Sequence, residues 1–217
     1  MNASTLTVSP TAAVRLGGEV EGPDLTVYLL TRRALPREFA RLAAAAATMP
    51  EGAYALEEQI AMMARVLHVH HAHTVHSIWP VLRERDPEVL VLLGVLQANL
   101  SRIDEMAAAA ADRAVPLGAR ARVLKSLSAA LKRHYDFEDD EVGPLLRRFF
   151  TGAEWTACSA ALTTHLRGDR GRFVATMVDH LDPFEAEALL RAGGKTLRYR
   201  LLWQRKWAAH RPLIYGF

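Results

Sequence analysis

A histidine followed at a helical spacing by a threonine or a carboxylate occurs in two parts of this 217-residue chain. His70 is followed four residues later by Thr74, and His134 is followed four residues later by Glu138; in both copies a proline comes six residues further on. Residues four apart share one face of a helix, so each pair is expected to point into the interior of a helical bundle. Inward histidines and carboxylates can bind a metal, or exchange protons where no metal is bound.

Histidines are concentrated in one segment, because five of the nine lie between positions 68 and 76. A single helix cannot direct all of them to the same face, so His68, His71 and His76 are predicted to be surface or half-buried residues. The later histidines have no partner at ligand spacing and are predicted to be structural: His165, His180 and His210.

The elements that must position these residues are predicted to be helices, because strand-like alternation is rare and alanine runs recur. Proline and glycine separate four long segments at about 27–48, 54–85, 88–113 and 117–150. Shorter amphipathic segments follow at about 153–166, 170–181, 184–192 and 195–209. The predicted fold is all-α: an N-terminal arm at 1–26, an antiparallel four-helix bundle at 27–150 and an appended C-terminal helical subdomain at 151–217. Pro36 is expected to kink the first helix or to reset its start.

Composition excludes several classes of protein and of site. One cysteine, Cys158, excludes an intramolecular disulfide framework and a cysteine-based metal cage, and it indicates a cytoplasmic protein. With His165 two helical turns away, Cys158 is expected to be a small core residue. The net charge of +3 comes from scattered arginines, so no nucleic-acid partner is expected. The most apolar stretch, 89–96, is too short to span a membrane. The expected partner is a small molecule held in the bundle interior. The sequence leaves the oligomeric state open.

Two segments resemble the histidine-and-carboxylate helices of hemerythrin-like HHE cation-binding proteins, the actinobacterial type in particular. They are 67–82 (LHVHHAHTVHSIWPVL) and 131–146 (LKRHYDFEDDEVGPLL). The likeness extends through 33–39 and 96–106 and covers most of residues 27–209. It implies a four-helix bundle with two non-haem irons, bound by histidines and bridging carboxylates from all four helices.

Three ligand positions implied by the resemblance carry other residues here. Arg32 stands where the first helix has a histidine, Thr74 where the second helix has a bridging glutamate, and Leu100 where the third helix has its leading histidine. Two close cations need shared anions to offset their repulsion. The resemblance therefore does not predict an intact di-iron centre.

The remaining ligand positions leave the cofactor open between one divalent metal and none. His70, Asp104, His134 and Glu138 could bind a single Fe(II), Mn(II) or Zn(II) ion. In the metal-free alternative, Arg32 points inward and its guanidinium takes over the cation's role beside Glu138 or Asp104, because arginine is always charged.

Three functions remain open. The first is a hemerythrin-like module with a remodelled di-iron site that binds a small ligand or one metal. The second is a metal-independent bacterial biosynthetic enzyme that cyclises or isomerises a hydrophobic substrate, with His134 as the base and Glu138 or Asp104 as its orienting partner. The third is a purely structural protein with a filled core.

Overall fold

The computed structural model describes residues 22–166, 168–192 and 197–216. Within these ranges all regular structure is helical, so the predicted all-α class is confirmed. Most of the predicted arm at 1–26 lies outside the described residues. The four bundle helices are α1 (Thr26–Thr48), α2 (Tyr54–His73), α4 (Leu90–Ala111) and α5 (Leu117–Glu141), with α3 (Trp79–Arg85) as the continuation of α2. The later helices are α6 (Gly143–Phe149), α7 (Gly152–His165), α8 (Arg170–Val178), α9 (Pro183–Ala192) and α10 (Leu197–Tyr215).

The bundle helices pack in the cyclic order α1, α5, α4, α2. Short connections join consecutive helices, which gives the up-and-down arrangement that the segment lengths predict. Among the described residues, no helix combines the length and the apolar character that a membrane span requires.

The second helix changes its winding at the first copy of the repeated motif. A π-helical turn, Thr74–Ile78, joins α2 to α3, and Pro80 follows within the first turn of α3. Proline has no backbone N–H, so it cannot continue the hydrogen-bond ladder of the preceding turn. The second copy shows a milder break, since α5 gives way to α6 at Val142, just before Pro144. Each inward pair therefore lies just before an interruption of its helix.

Pro36 does not reset the start of the first helix, contrary to one of the two outcomes expected from the sequence. The helix begins at Thr26 and contains Pro36. The Pro36 carbonyl accepts a hydrogen bond of 2.7 Å from Ser128 Oγ of α5. Arg32 therefore lies within a helix and on its buried face.

Two hydrophobic clusters fill the interior, and a polar layer separates them. On α1 the smaller cluster ends at Tyr28 and the larger one begins at Leu30; the larger cluster ends at Tyr135 on α5, and the smaller one resumes at Val142, just after that helix. Buried polar residues lie close to this change from one cluster to the other: Arg32 on α1, His70 and His71 on α2, Thr74 in the π-helical turn, and His134 and Glu138 on α5.

The C-terminal helices pack on the bundle and share its larger cluster. Phe173 and Met177 of α8 and Trp207, Ile214 and Tyr215 of α10 belong to that cluster. The predicted C-terminal extension is therefore helical and attached to the bundle. The boundary between bundle and extension near residue 150 stays a prediction.

Candidate functional site

A buried guanidinium lies at the centre of the polar layer. The side chain of Arg32 is 1% exposed, and its Nη2 donates a hydrogen bond of 2.6 Å to Glu138 Oε2. Its Nη1 lies 2.7 Å from Asp139 Oδ1. Arg32 of α1 is thus in contact with two consecutive carboxylates of α5.

Two tyrosine rings enclose this guanidinium. The Cζ atom of Arg32 lies 4.5 Å from the ring centre of Tyr28 and 4.7 Å from that of Tyr135. Both distances are within the range of cation–π attraction, which is strongest where water is excluded. The Tyr28 hydroxyl also donates a hydrogen bond of 3.1 Å to Glu138 Oε1. Both oxygens of the Glu138 carboxylate are therefore engaged.

The electrostatics keep this pair ionised. Burial alone would raise the pKa of Glu138, but the neighbouring Arg32 guanidinium and His134 lower it to about 2. Burial raises the pKa of Tyr28 well above its ordinary value, so Tyr28 remains a neutral donor. Both groups are shielded from water, so the opposite charges of Arg32 and Glu138 stabilise each other in place of hydration.

The two carboxylates predicted as ligands have different partners. His134 Nε2 lies 3.2 Å from Glu138 Oε2. Asp104, on α4, instead contacts two histidines of α2: Oδ1 lies 2.5 Å from His71 Nδ1, and Oδ2 lies 3.0 Å from His68 Nδ1. Burial lowers the pKa of His71 despite the opposing effect of Asp104.

The position predicted for His71 is wrong. It is buried rather than at the surface, with its ring centre 6.4 Å from that of His134. His68 and His76 are exposed, as predicted. It is therefore His71, and not His70, that links the Asp104 side of the site to His134.

The remaining predicted positions are all buried. His70 is buried against Tyr28 and Tyr135, with ring centres 6.3 and 6.4 Å away, and burial lowers its pKa to about 3. Thr74 Oγ1 donates a hydrogen bond of 3.1 Å to the His70 carbonyl of its own helix. Leu100 is buried in the smaller hydrophobic cluster.

The comparison with protein families agrees with the fold and with the repeated motif. A family model for the hemerythrin HHE cation-binding domain matches residues 33–146. The chain belongs to this hemerythrin family. No curated protein and no solved structure gives a significant match.

Membership of a cation-binding family raises the question of which side chains would bind the cation. Within residues 22–166, 168–192 and 197–216, no three His, Cys, Asp or Glu side chains converge on a point suited to a metal ion. The hemerythrin positions on α1 and α5 are bridged instead by the contact between Arg32 and Glu138. The geometry therefore does not fit a di-iron centre.

Four residues of the site were missed in the sequence analysis, although the spacing contained a signal for each. Tyr28 lies one helical turn before Arg32 and so shares its face. The other three directly follow a predicted site residue: His71, Tyr135 and Asp139. Two adjacent residues of the same helical turn therefore contribute to the site, rather than one residue per turn.

A second buried carboxylate lies on α1, away from the predicted site. Glu38 is fully buried, and its Oε2 accepts hydrogen bonds from Arg41 Nη2 at 2.6 Å and His180 Nε2 at 2.8 Å. Its Oε1 accepts from Tyr215 Oη at 2.6 Å and Gln59 Nε2 at 3.2 Å. This cluster joins the bundle to the C-terminal helices, so His180 has a charged partner that its sequence spacing did not indicate.

Cys158 also has a histidine neighbour that the sequence did not indicate. Its Sγ lies 3.3 Å from His73 Nε2, at the contact between α7 and α2. Burial raises the pKa of the Cys158 thiol and lowers the pKa of His73. Both groups therefore favour their neutral forms, which makes this pair a poor source of thiolate.

Proposed function

We propose that this hemerythrin-family bundle has exchanged its metal centre for the guanidinium of Arg32 and acts as a metal-independent module that binds a small ligand. The observation that carries the proposal is the contact of 2.6 Å between Arg32 Nη2 and Glu138 Oε2 at 1% and 3% side-chain exposure. Arginine supplies a permanent positive charge where the family places cations, so Glu138 stays ionised without a metal.

A metal at this position would have to break existing contacts. Binding to Glu138 would displace Arg32 and leave a buried guanidinium without its strongest partner, which is a costly state. Asp104 would have to give up its contacts with His68 and His71 in order to bind the same metal. Without the two carboxylates, His70 and His134 alone are too few ligands for a stable Fe, Mn or Zn site. We therefore propose that the site binds neither two metal ions nor a single one.

Metal analysis tests this proposal. Untagged protein, purified without chelators and then incubated with Fe(II), Mn(II) or Zn(II), should retain less than about a tenth of an equivalent after desalting. Arg32→Ala should retain more metal, because it vacates the space beside Glu138 and removes a repelling charge. Arg33→Ala is the matched control, since Arg33 is a half-exposed neighbour on the same helix. Stoichiometric metal in the wild-type protein would refute the proposal.

A metal-independent enzyme is the second candidate, and the position of His134 favours it. Its ring is buried next to Glu138, which can orient it, and it also lines an open groove between α4 and α5. A histidine next to a carboxylate and beside an accessible groove can act as a general base. Solvent-deuterium exchange into C–H acids, followed by NMR, should be catalysed by the wild-type protein and lost in His134→Gln. Equal exchange by both proteins would exclude His134 as the base.

A further inference from the structure

A groove of about 260 Å³ opens on the surface between α4 and α5. Its lining combines cationic, apolar and imidazole side chains: Arg102, Ile103, Met106, Arg133, His134 and Phe137. Ile103 is buried and Met106 half-buried, whereas the Phe137 ring is 39% exposed. Asn99 and Ser126 also line the groove, so its walls are partly apolar and partly polar, and it carries an exposed aromatic ring.

Both arginines of the groove are free to bind a ligand. Arg102 and Arg133 are exposed, and neither has an ion pair or hydrogen bond among the residues that the structure describes. On α5, Asp136 contacts Lys132 at 2.6 Å and Asp139 contacts Arg32, so these two carboxylates have other partners. Neither guanidinium is held in an ion pair within the described residues, so both are available to an anionic ligand.

The wall of the groove contains a buried imidazole without a hydrogen bond. The His134 side chain is 1% exposed, and neither ring nitrogen makes a hydrogen bond within the described part of the chain, although Nε2 lies 3.2 Å from Glu138 Oε2. Buried polar atoms without partners are rare in folded proteins, and each one calls for an explanation such as a bound molecule. The groove therefore borders a buried imidazole whose hydrogen-bonding capacity is unused.

We infer that this groove binds a small carboxylic acid with an apolar tail. The carboxylate lies between Arg102 and Arg133, whose planar guanidinia match its two oxygens. The hydrocarbon part covers Ile103 and Met106 and lies against His134. This inference rests on the proposed function and names its ligand class.

Octanoate is a suitable probe, because it combines an anionic head group with an apolar chain. Calorimetric titration of the full-length protein should give a Kd below about 1 mM for octanoate. Octanamide, which has nearly the same shape but no charge, should bind at least about tenfold more weakly. Inorganic phosphate, which has charge but no tail, should bind at least as weakly as octanamide.

Variants and methyl NMR locate the binding. Arg102→Gln combined with Arg133→Gln should weaken octanoate binding at least about tenfold, whereas Arg122→Gln should leave it unchanged. Arg122 is the matched control because it is exposed on α5 and does not line the groove. In protein with ¹³C-methyl methionine, octanoate should shift the Met106 resonance and leave that of Met177 in α8 unchanged. An unchanged melting temperature and unchanged remaining methyl signals show that the double variant is folded.

Several results would overturn the inference. They are no octanoate binding up to about 5 mM, equal binding of octanoate and octanamide, phosphate binding as tight as octanoate, and an equal loss in Arg122→Gln. A shift at Met177 without one at Met106 would place the ligand elsewhere. None of these results depends on metal content, so failure of the groove and failure of the metal-free core are distinguishable.

Discussion

Arg32 and Glu138 form a buried ion pair between the first and last helices of the bundle, with Nη2 2.6 Å from Oε2. Tyr28 donates to the other oxygen of the same carboxylate and places its ring against the guanidinium. The pair thus receives hydrogen-bond and cation–π support from its surroundings, which a buried ion pair needs to offset the loss of hydration.

The first prediction concerns the stability of this pair. Arg32→Ala should destabilise the fold by about 3–5 kcal/mol, because it leaves the Glu138 carboxylate buried without its main counter-charge. The double variant Arg32→Met with Glu138→Leu should lose less than the sum of the two single changes, since no uncompensated charge remains. Urea unfolding of Arg32→Ala tests the first value, and urea unfolding of the wild type, Arg32→Met, Glu138→Leu and the double variant measures the coupling. Additive losses would show that Arg32 and Glu138 do not act as a pair.

The second prediction is that the family's metal site can be rebuilt. Arg32→His, Thr74→Glu and Leu100→His together restore the ligand types that the hemerythrin resemblance implies and remove the guanidinium. The triple variant should retain iron after desalting, measured by metal analysis and by near-ultraviolet and visible absorption. The same variant with Glu138→Gln should retain much less, because the carboxylate of the last helix is then neutral. Iron retention that is independent of Glu138 would place the metal elsewhere.

The third prediction is a loss of stability in mild acid that depends on His70. Burial lowers the pKa of His70 from 6.5 to about 3, so the folded state holds this ring neutral. The neutral His70 ring therefore contributes to the free energy of unfolding in full above pH 6.5. This contribution is lost as the pH falls toward 3, at a slope approaching ~1.4 kcal/mol per pH unit. The pKa of Glu138 is lowered from 4.5 to about 2, so protonation of this carboxylate reduces the free energy of unfolding only within that lower pH range.

Unfolding free energies at pH 7.5 and pH 5 measure this effect. The wild-type protein should lose about 2 kcal/mol more than His70→Gln over this interval. Exposed His76 provides the control, and His76→Gln should behave as wild type. An identical pH dependence of wild type and His70→Gln would show that His70 is not held neutral.

The fourth prediction concerns the Glu38 cluster that joins the bundle to the C-terminal helices. Tyr215→Phe removes the hydrogen bond of 2.6 Å to Glu38 and should cost about 1.5–3 kcal/mol, because the acceptor is a buried charge. Leu213→Ala on the same helix is the control, since Leu213 is 60% exposed. Hydrogen exchange should show faster opening of α10 in Tyr215→Phe and not in Leu213→Ala. Equal protection of α10 in both variants would show that the hydrogen bond between Tyr215 and Glu38 does not attach this helix to the bundle.

The helical class and the outer limits of the long helical segments follow from the sequence because they depend on local properties, whereas the breaks within 54–85 and 117–150 were not predicted. Proline and glycine positions separate the bundle helices, and the predicted start of the first helix at 27 is within one residue of the observed Thr26. The repeated His-x3-Thr/Glu motif indicated which faces of α2 and α5 point inward, because helical spacing alone determines that two residues share a face. The same motif carried the resemblance to the hemerythrin family, which the family comparison confirms.

Contacts between distant segments were decided by the tertiary structure. The choice of His71 rather than His70 as the partner of Asp104 depends on how α2 is rotated against α4, and neighbouring histidines in one run cannot reveal that rotation. Cys158 meets His73, and Glu38 meets His180, because the C-terminal helices fold back onto the bundle. Spacing along a helix specifies a face, but the residue that faces it belongs to another helix. Which residue that is depends on the packing of the whole chain.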